Sequence, residues 1–515
     1  MNLIFEPWIP VRRADGKQHL IPPWKLTDGI DNNPILAIAS PRPDFDGSLT
    51  QFLIGLLQTT CTPDVFTSRK WQTKPPAPEE LKLHFEEVAH AFELEGEKAF
   101  MQDFTPSQLD KTFPISGLLI GSPPEDSETD LFIKQGKVMA LCPHCVAAAL
   151  FSIQTDSPEG GRGYRTGLRG GGPLTTLLLG DNLWQTCWMN VLEESRYWDG
   201  VQPERKADRD RFPWLAPTRT SEAKPPAGVT RPGDVHPDQQ YWTLPRRIRL
   251  QADACESVIC DICGRTAQQV YRTFKARNYG VNYEGFEHPL SPHYIKDNAR
   301  LPVHPHPGGI GYRHWLGLVE SGQGSIPARV VQQNKNRRMR RDGSLWAFGY
   351  DMKSNKARCW YDARMPILYL PEEIDGLFQE LVGRLVNAAE KIAAALRVFL
   401  KSALFGEAKI RGDLSYAQAE FWEASESAFY VHIRRLREVL PRDPNAYPIL
   451  ESWMVILRVT AYAIFDRHSQ TGDFDAVDPQ QIAKARNALG KSLGGTMLGH
   501  KILGLPKPIK SSTQS

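Results

Sequence analysis

The chain offers almost no net charge: 62 Lys and Arg stand against 59 Asp and Glu in 515 residues, leaving +3. Bulk electrostatics therefore does not announce a polyanion partner, and any phosphate-binding surface must be local. No apolar run reaches the length needed to cross a bilayer, and the leading MNLIFEPWIPV has neither a basic n-region nor a cleavage site. That segment reads as a strand, and the protein as cytoplasmic with no membrane partner. Of the eight cysteines, Cys61, Cys187, Cys255 and Cys359 are scattered, which does not suggest a secreted disulfide framework. His-Glu-x-x-His and Gly-x-Ser-x-Gly are both missing. Gly490-Lys491-Ser492 ends like a phosphate-binding loop, but Ala485 stands where its first glycine belongs. His304 and His306 sit among prolines, which favours an extended turn over metal ligation. These gaps argue against an enzyme.

What is present divides into two textures. Residues 1–365 are rich in Pro, Gly and aromatics, with short apolar runs such as Leu174–Leu179 and Tyr241–Leu250 between turn signals. That pattern predicts a large, irregular, mixed α+β amino-terminal domain. Trp198–Asp238, dense in proline and charge, reads as a long exposed excursion. Over 366–505 the period becomes helical. Leu377, Leu381, Leu385, Ala388, Ile392, Leu396 and Phe399 share one face; Phe429, Ile433, Leu436 and Leu440 follow, then Leu450, Trp453, Leu457, Ala461 and Ile464. A last helix opens at Asp478-Pro479. Four amphipathic helices with short joins predict an all-α antiparallel four-helix bundle, with residues 506–515 a disordered tail.

Two Cys-x-x-Cys knuckles, Cys142/Cys145 in CPHC and Cys260/Cys263 in CDIC, complete a tetrahedral donor set, the pattern of a structural zinc site. Four reduced cysteines, a redox pair or an iron–sulfur cluster are the other readings. A catalytic zinc is disfavoured, since four thiolates leave no open position for water. The first knuckle leads into Glu159–Thr176, EGGRGYRTGLRGGGPLTT, which places a metal clamp and a glycine loop in one constellation. Gly160, Gly161, Gly163, Gly167 and Gly170–Gly172 permit close backbone approach. Arg162, Arg165 and Arg169 between them suit phosphates or base stacking, although a flexible surface loop fits the composition equally well.

Lys335–Arg341, KNRRMRR, puts five positive charges in seven residues and marks a second candidate phosphate contact. Beyond it, Asn355-Lys356-Ala357 could form a hairpin tip reaching a groove; from these residues alone an ordinary turn is the better reading.

Taken in order, NLIFEPWIPV, LCPHC, GYRTGLRGGGPLTT, CDICG and GYDMKSNKARCWYD resemble the CasA family, large subunits of the type I-E CRISPR surveillance complex Cascade. The resemblance spans nearly the whole chain, and GLRGGGPLTT beside a Cys-x-x-Cys is its most specific piece. It implies a non-catalytic reader of the protospacer-adjacent motif (PAM) in double-stranded DNA, acting mainly from the minor groove. Such a reader promotes duplex opening and R-loop formation for antiviral defence. Cleavage would fall to a helicase-nuclease recruited after the R-loop forms. A zinc-stabilised nucleic-acid-processing enzyme, such as a nuclease, is the alternative.

Carried over by position, the resemblance puts the family's glycine loop on Gly160, Gly161, Arg162 and Gly163, where Arg162 breaks the run. Its wedge hairpin falls on Asn355, Lys356 and Ala357, with Lys356 where some relatives have glutamine. Its lysine finger has three competing positions, Lys275, Arg277 and Asn278. Phe132, Ile133, Lys134 and Gln135 match a loop that contacts the guide RNA 5′ end and the complex backbone, with Phe132 stacking on a base. The helical bundle would dock on neighbouring small subunits along the displaced strand.

Overall fold

The computed structural model describes residues 1–105, 111–122, 133–198, 207–322, 324–336, 342–353, 356–406, 414–469, 478–494 and 496–506. They fall into two compact units: Met1–Pro305 with Pro327–Met339 and Gly343–Arg364, and His306–Ile326 with Arg340–Asp342 and Met365–Ser515.

The first unit is mixed α+β, as the punctuation of its sequence predicts. Its strands are β1 (Ile9–Arg13), β2 (Gln18–Ile21), β3 (Ile35–Ile38), β4 (Lys111–Pro114), β5 (Thr175–Leu179), β6 (Arg247–Ile259), β7 (Thr266–Arg277), β8 (His293–Lys296) and β9 (Ala299–Pro302). β10 (Ser325–Ile326) belongs to the other unit, whereas β11 (Gly343–Lys353) and β12 (Lys356–Ile367) start in the first. Three small sheets result, ordered β2-β1-β3, β4-β7-β6 and β12-β11-β5, and β8 pairs with β9. The amino-terminal strand expected over MNLIFEPWIPV begins only at Ile9.

The unit's helices include α1 (Pro43–Thr60), α2 (Val65–Thr73), α3 (Pro78–Glu86), α4 (Pro143–Asp156), α5 (Leu183–Met189), α6 (Glu194–Tyr197) and α7 (Asp208–Arg211), of which α1, α4 and α5 pack against strands. α1 has proline at its first position and Asp44 and Asp46 in its first turn, both suited to a helix start. It is buried on nearly every side, so its apolar residues need no polar face. At its centre the Phe52 ring meets Trp8, Phe92, Phe100, Phe151 and Trp242 edge-on, at centroid distances of 5.2 to 6.0 Å. This cluster is the core.

The expected excursion at Trp198–Asp238 is exposed only in part, chiefly at 207–209, 222–227 and 231–234 among its described residues. Where it is described, Phe212 and Trp214 are fully buried, and Val235, His236 and Asp238 are buried too. The Trp214 indole donates to Ala91 O at 2.7 Å. Its prolines shape short turns that carry aromatics inward; proline density reports irregular backbone and leaves burial open.

The second unit includes α8 (Trp315–Leu318) and, after α9 (Arg329–Asn336) of the first, the long helices α10 (Glu372–Phe405), α11 (Ser415–Val439), α12 (Tyr447–Ser469) and α13 (Pro479–Ser492). α10 packs against the other three, and α11 against α12. Gly406, at φ +60°, ends α10, and the Asp478 side chain caps α13 by accepting Gln480 N–H at 2.8 Å. α12 is long and apolar enough, by length and composition, to cross a membrane, contrary to the sequence expectation. Its inward stripe of Leu450, Trp453, Leu457, Ala461 and Ile464 is buried, and Trp453 Nε1 donates to Leu385 O at 3.0 Å. That is how a core helix behaves.

Candidate nucleic-acid interface and thiol cluster

The four knuckle cysteines converge: their Sγ atoms all lie within 4.8 Å of one another, and Cys142 and Cys263 are 3.7 Å apart. Cys142 caps α4 and Cys145 sits in its first turn, while Cys260 and Cys263 occupy the β6–β7 turn. That turn is closed by Cys260 N–H to Arg265 O and Gly264 N–H to Cys260 O, both 2.9 Å. The knuckles, more than a hundred residues apart in sequence, are joined by backbone. Leu141 and Tyr271 exchange hydrogen bonds of 3.0 and 2.8 Å, and Asp261 N–H donates to Ala140 O at 3.0 Å. The Asp261 carboxylate accepts Met139 N–H at 2.7 Å and Ala140 N–H at 2.8 Å.

The thiols share protons unevenly. Hydrogen bonds from Cys142 and Cys145 draw Cys263 down, whereas hydrogen bonding to Cys142 and burial push Cys145 up. All eight cysteines are free thiols. Such a cluster suits a thiophilic metal. His144, which lies between the first two cysteines in sequence, stands outside the cluster.

Between clamp and glycine loop runs the whole of α4, a rod of about 20 Å. The two features therefore sit at opposite ends of one helix, not side by side. The loop leaves α4 at Ser157 and returns at Gly167, whose N–H donates to Ser157 O at 3.3 Å. Beyond the return, the glycines serve the fold. A Cβ on Gly167 would collide with Thr155 O, and one on Gly172 (φ +59°) would sit 2.7 Å from Tyr350 O. At the outer end Gly161 (φ +86°) has no atom within 4 Å of its would-be Cβ. Only there is the backbone open to a ligand's close approach.

The arginines divide in the same way. Arg162 is exposed. Arg165 donates from Nε to Ser221 Oγ at 2.8 Å, and Arg169 is 4% exposed with protein partners on both terminal nitrogens. Neither of the two readings open for these arginines, phosphate contact or flexible surface loop, describes Arg169: its charge is spent inside the protein.

Of the three candidate positions after β6, the structure brings Asn278 to the loop. Its Nδ2 donates to Arg162 O at 3.3 Å, and Tyr279 N–H donates to Gly163 O at 2.6 Å. Lys275 and Arg277 lie on β7, paired in register with Arg249 and Arg247. The sequence reading missed Arg246, Arg247, Arg249 and Tyr279. The period-two arginines of RRIRL were the available signal for the facing pair. Arg246 stacks over the Tyr164 ring, 5.3 Å from its centroid, and donates to Pro158 O, pinning the loop from beneath.

Lys356 is exposed at the first residue of β12, and Ala357 beside it is 7% exposed. Asn355 lies outside the described residues, as do Phe132 and Arg337–Arg341. The β11–β12 arms are tied near the tip by Arg358, which donates to Asp351 Oδ1 at 2.5 and 3.2 Å. Of FIKQ, Lys134 and Gln135 are exposed. Ile133, just before them, is 6% exposed, its side chain in the core.

Comparison with known proteins agrees along the length of the chain. Residues 2–464 match the family described as CRISPR-associated protein Cse1. Thermobifida fusca Cse1 superposes with a TM-score of 0.70 at 17% identity, covering 97% of this chain and 98% of that one. Thermus thermophilus CasA (Cse1) gives 0.69 at 18% identity, covering 97% and 99%. A chain of a CRISPR RNA-guided surveillance complex gives 0.67 at 14% identity, covering 96% and 99%. At these identities the likeness is one of fold.

Proposed function

This chain belongs to the family of the CRISPR-associated protein Cse1, and from that premise we propose that it is the non-catalytic large subunit of a cytoplasmic type I-E surveillance complex. It reads the PAM in double-stranded DNA, promotes opening of the duplex and supports R-loop formation. The observation that carries this reading is the Glu159–Gly163 loop, anchored at its root, held by Asn278 and Tyr279, and open at Gly161 beside exposed Arg162. An open backbone flanked by an amide and a guanidinium suits the minor groove, whose hydrogen-bond code is degenerate. Tolerance of several related PAMs follows.

Lys356 acts at the hairpin tip as the wedge, together with Asn355 and Ala357. Unstacking one base step costs on the order of a few kcal/mol, which contacts elsewhere on the duplex must offset. Lys134 and Gln135, with Phe132, contact the 5′ end of the guide RNA. Helices α10 to α13 form an antiparallel four-helix bundle that docks on the small subunits, and the helicase-nuclease is recruited once the R-loop has formed.

Cys142, Cys145, Cys260 and Cys263 hold a structural zinc. Tetrahedral Zn–S bonds of about 2.3 Å place sulfurs about 3.8 Å apart, and Cys142 and Cys263 are at 3.7 Å. The metal would stiffen the β6–β7 turn and the start of α4; with four thiolate ligands it performs no chemistry.

The test is co-purification with guide RNA and the other subunits, followed by binding to a PAM library. Enrichment of a short motif only when this subunit is present is expected. Equal enrichment without it would sink the proposal.

A further inference from the structure

One buried guanidinium gathers the root of the glycine loop. Arg169 donates from Nη2 to Gln51 Oε1 at 2.6 Å and Asp156 Oδ1 at 3.4 Å, and from Nη1 to Thr175 Oγ1 at 2.9 Å and Ser291 Oγ at 3.2 Å. Those partners come from α1, the end of α4, β5 and the segment before β8. A lysine could not reach all four, because only the planar fork presents fixed donors in several directions.

The network continues toward the hairpin. Asp156 O accepts Gly172 N–H at 3.1 Å, and Gly172 packs against Tyr350 of β11 so closely that no side chain fits. Tyr350 Oη donates to Asp44 Oδ2 at 2.7 Å, and Asp44 takes a two-pronged pair from Arg42 at 2.9 and 2.8 Å. Loop root and hairpin strand thus carry two polar clusters that meet where Gly172 packs on Tyr350.

We propose that Arg169 is a positioning residue that couples the glycine loop to the β11–β12 hairpin, so that both meet the duplex as one rigid reader. The inference rests on the DNA-reading function proposed above. Its physical basis is that Arg169 ties four segments at one buried point and that the Gly172–Tyr350 contact leaves no slack; opening the cluster leaves buried polar groups without partners.

The test uses the assembled complex carrying Arg169→Met with Asp156→Asn, which removes both charges and leaves neither orphaned. Should that pair fail to assemble, Arg169→Lys takes its place. Each is offered an intact PAM duplex and the same target pre-opened by a mismatched bubble, with Gly161→Val as a variant of the loop alone. Intact-duplex affinity should fall by about tenfold or more while the pre-opened target binds within about twofold of wild type. Amide exchange should quicken both in 159–166 and in Gly349–Lys353. Equal weakening on both targets, or faster exchange confined to the loop, overturns the coupling. If Gly161→Val leaves intact-duplex binding unchanged, the loop-reading function itself fails. If Gly161→Val weakens binding and the Arg169 variants do not, only the coupling is wrong.

Discussion

Asp261 and Ala140 hold each other by two hydrogen bonds: Asp261 N–H donates to Ala140 O at 3.0 Å, and Asp261 Oδ2 accepts Ala140 N–H at 2.8 Å. One residue lies inside the second Cys-x-x-Cys knuckle and the other two positions before the first. Polypeptide contacts therefore align the two halves of the thiol cluster.

Replacing Asp261 with Ala should thus lower metal affinity by about ten- to a hundredfold without abolishing binding, the usual cost of losing a group that orients ligands. A competition titration with a chromophoric chelator measures it. Unchanged affinity would show that the thiols alone set the geometry.

Cys142→Ser or Cys260→Ser should remove zinc and stability together, because binding free energy at such a site is folding free energy. Elemental analysis and thermal melting of the same samples check this. Wild-type protein purified without chelator should carry about one zinc per chain, and a stoichiometry near zero refutes the site.

Within the glycine run two substitutions should separate. Gly167→Ala drives a Cβ into the Thr155 carbonyl, which is main chain and cannot rotate away. It should cost about 2 kcal/mol or more, on the scale of overpacking. Gly161→Ala meets only an unfavourable positive φ and should cost about 1 kcal/mol. Denaturant titration of the isolated protein compares them; equal costs would mean the open end is not open.

Lys356→Ala should weaken binding of the PAM duplex by the assembled complex about three- to tenfold, the worth of one phosphate or groove contact. Assembly and guide-RNA content should not change. Unaltered affinity and R-loop opening would remove Lys356 from the wedge.

Stability should carry a pH signature from Asp156. Burial raises its folded pKa to about 6 against the pull of Arg169, so between the unfolded value and 6 the native state holds the extra proton. Its contribution is therefore present at acid pH and lost as pH rises through 6. Wild type should lose up to about 3 kcal/mol relative to Asp156→Asn between pH 4 and 7. A difference that stays flat or rises across that window contradicts the assignment.

Much of this molecule could be read in advance because the relevant physics is local. Cys-x-x-Cys spacing announces a donor pair, Asp478-Pro479 announces a helix start, and the Leu450 to Ile464 stripe announces a buried face. Each needs only a few neighbouring residues. The burial of Ile133 and Arg169 was not legible, because burial of a single side chain depends on what distant segments bring to it. Trp198–Asp238 shows the same thing at greater length: its prolines fixed the irregular backbone, while Ala91 and the Phe52 cluster decided that its aromatics turn inward.

By itself the sequence determined the element types, the four thiol donors and the glycines that a tight loop requires, since these follow from covalent geometry and short-range periodicity. Tertiary structure alone decided which glycines face outward, which arginines are consumed within the protein, and that α4 separates the clamp from the loop. The reason is that a hydrogen bond such as Arg169 to Gln51 joins residues 118 apart. No local pattern records it; only the folded chain brings donor and acceptor within reach.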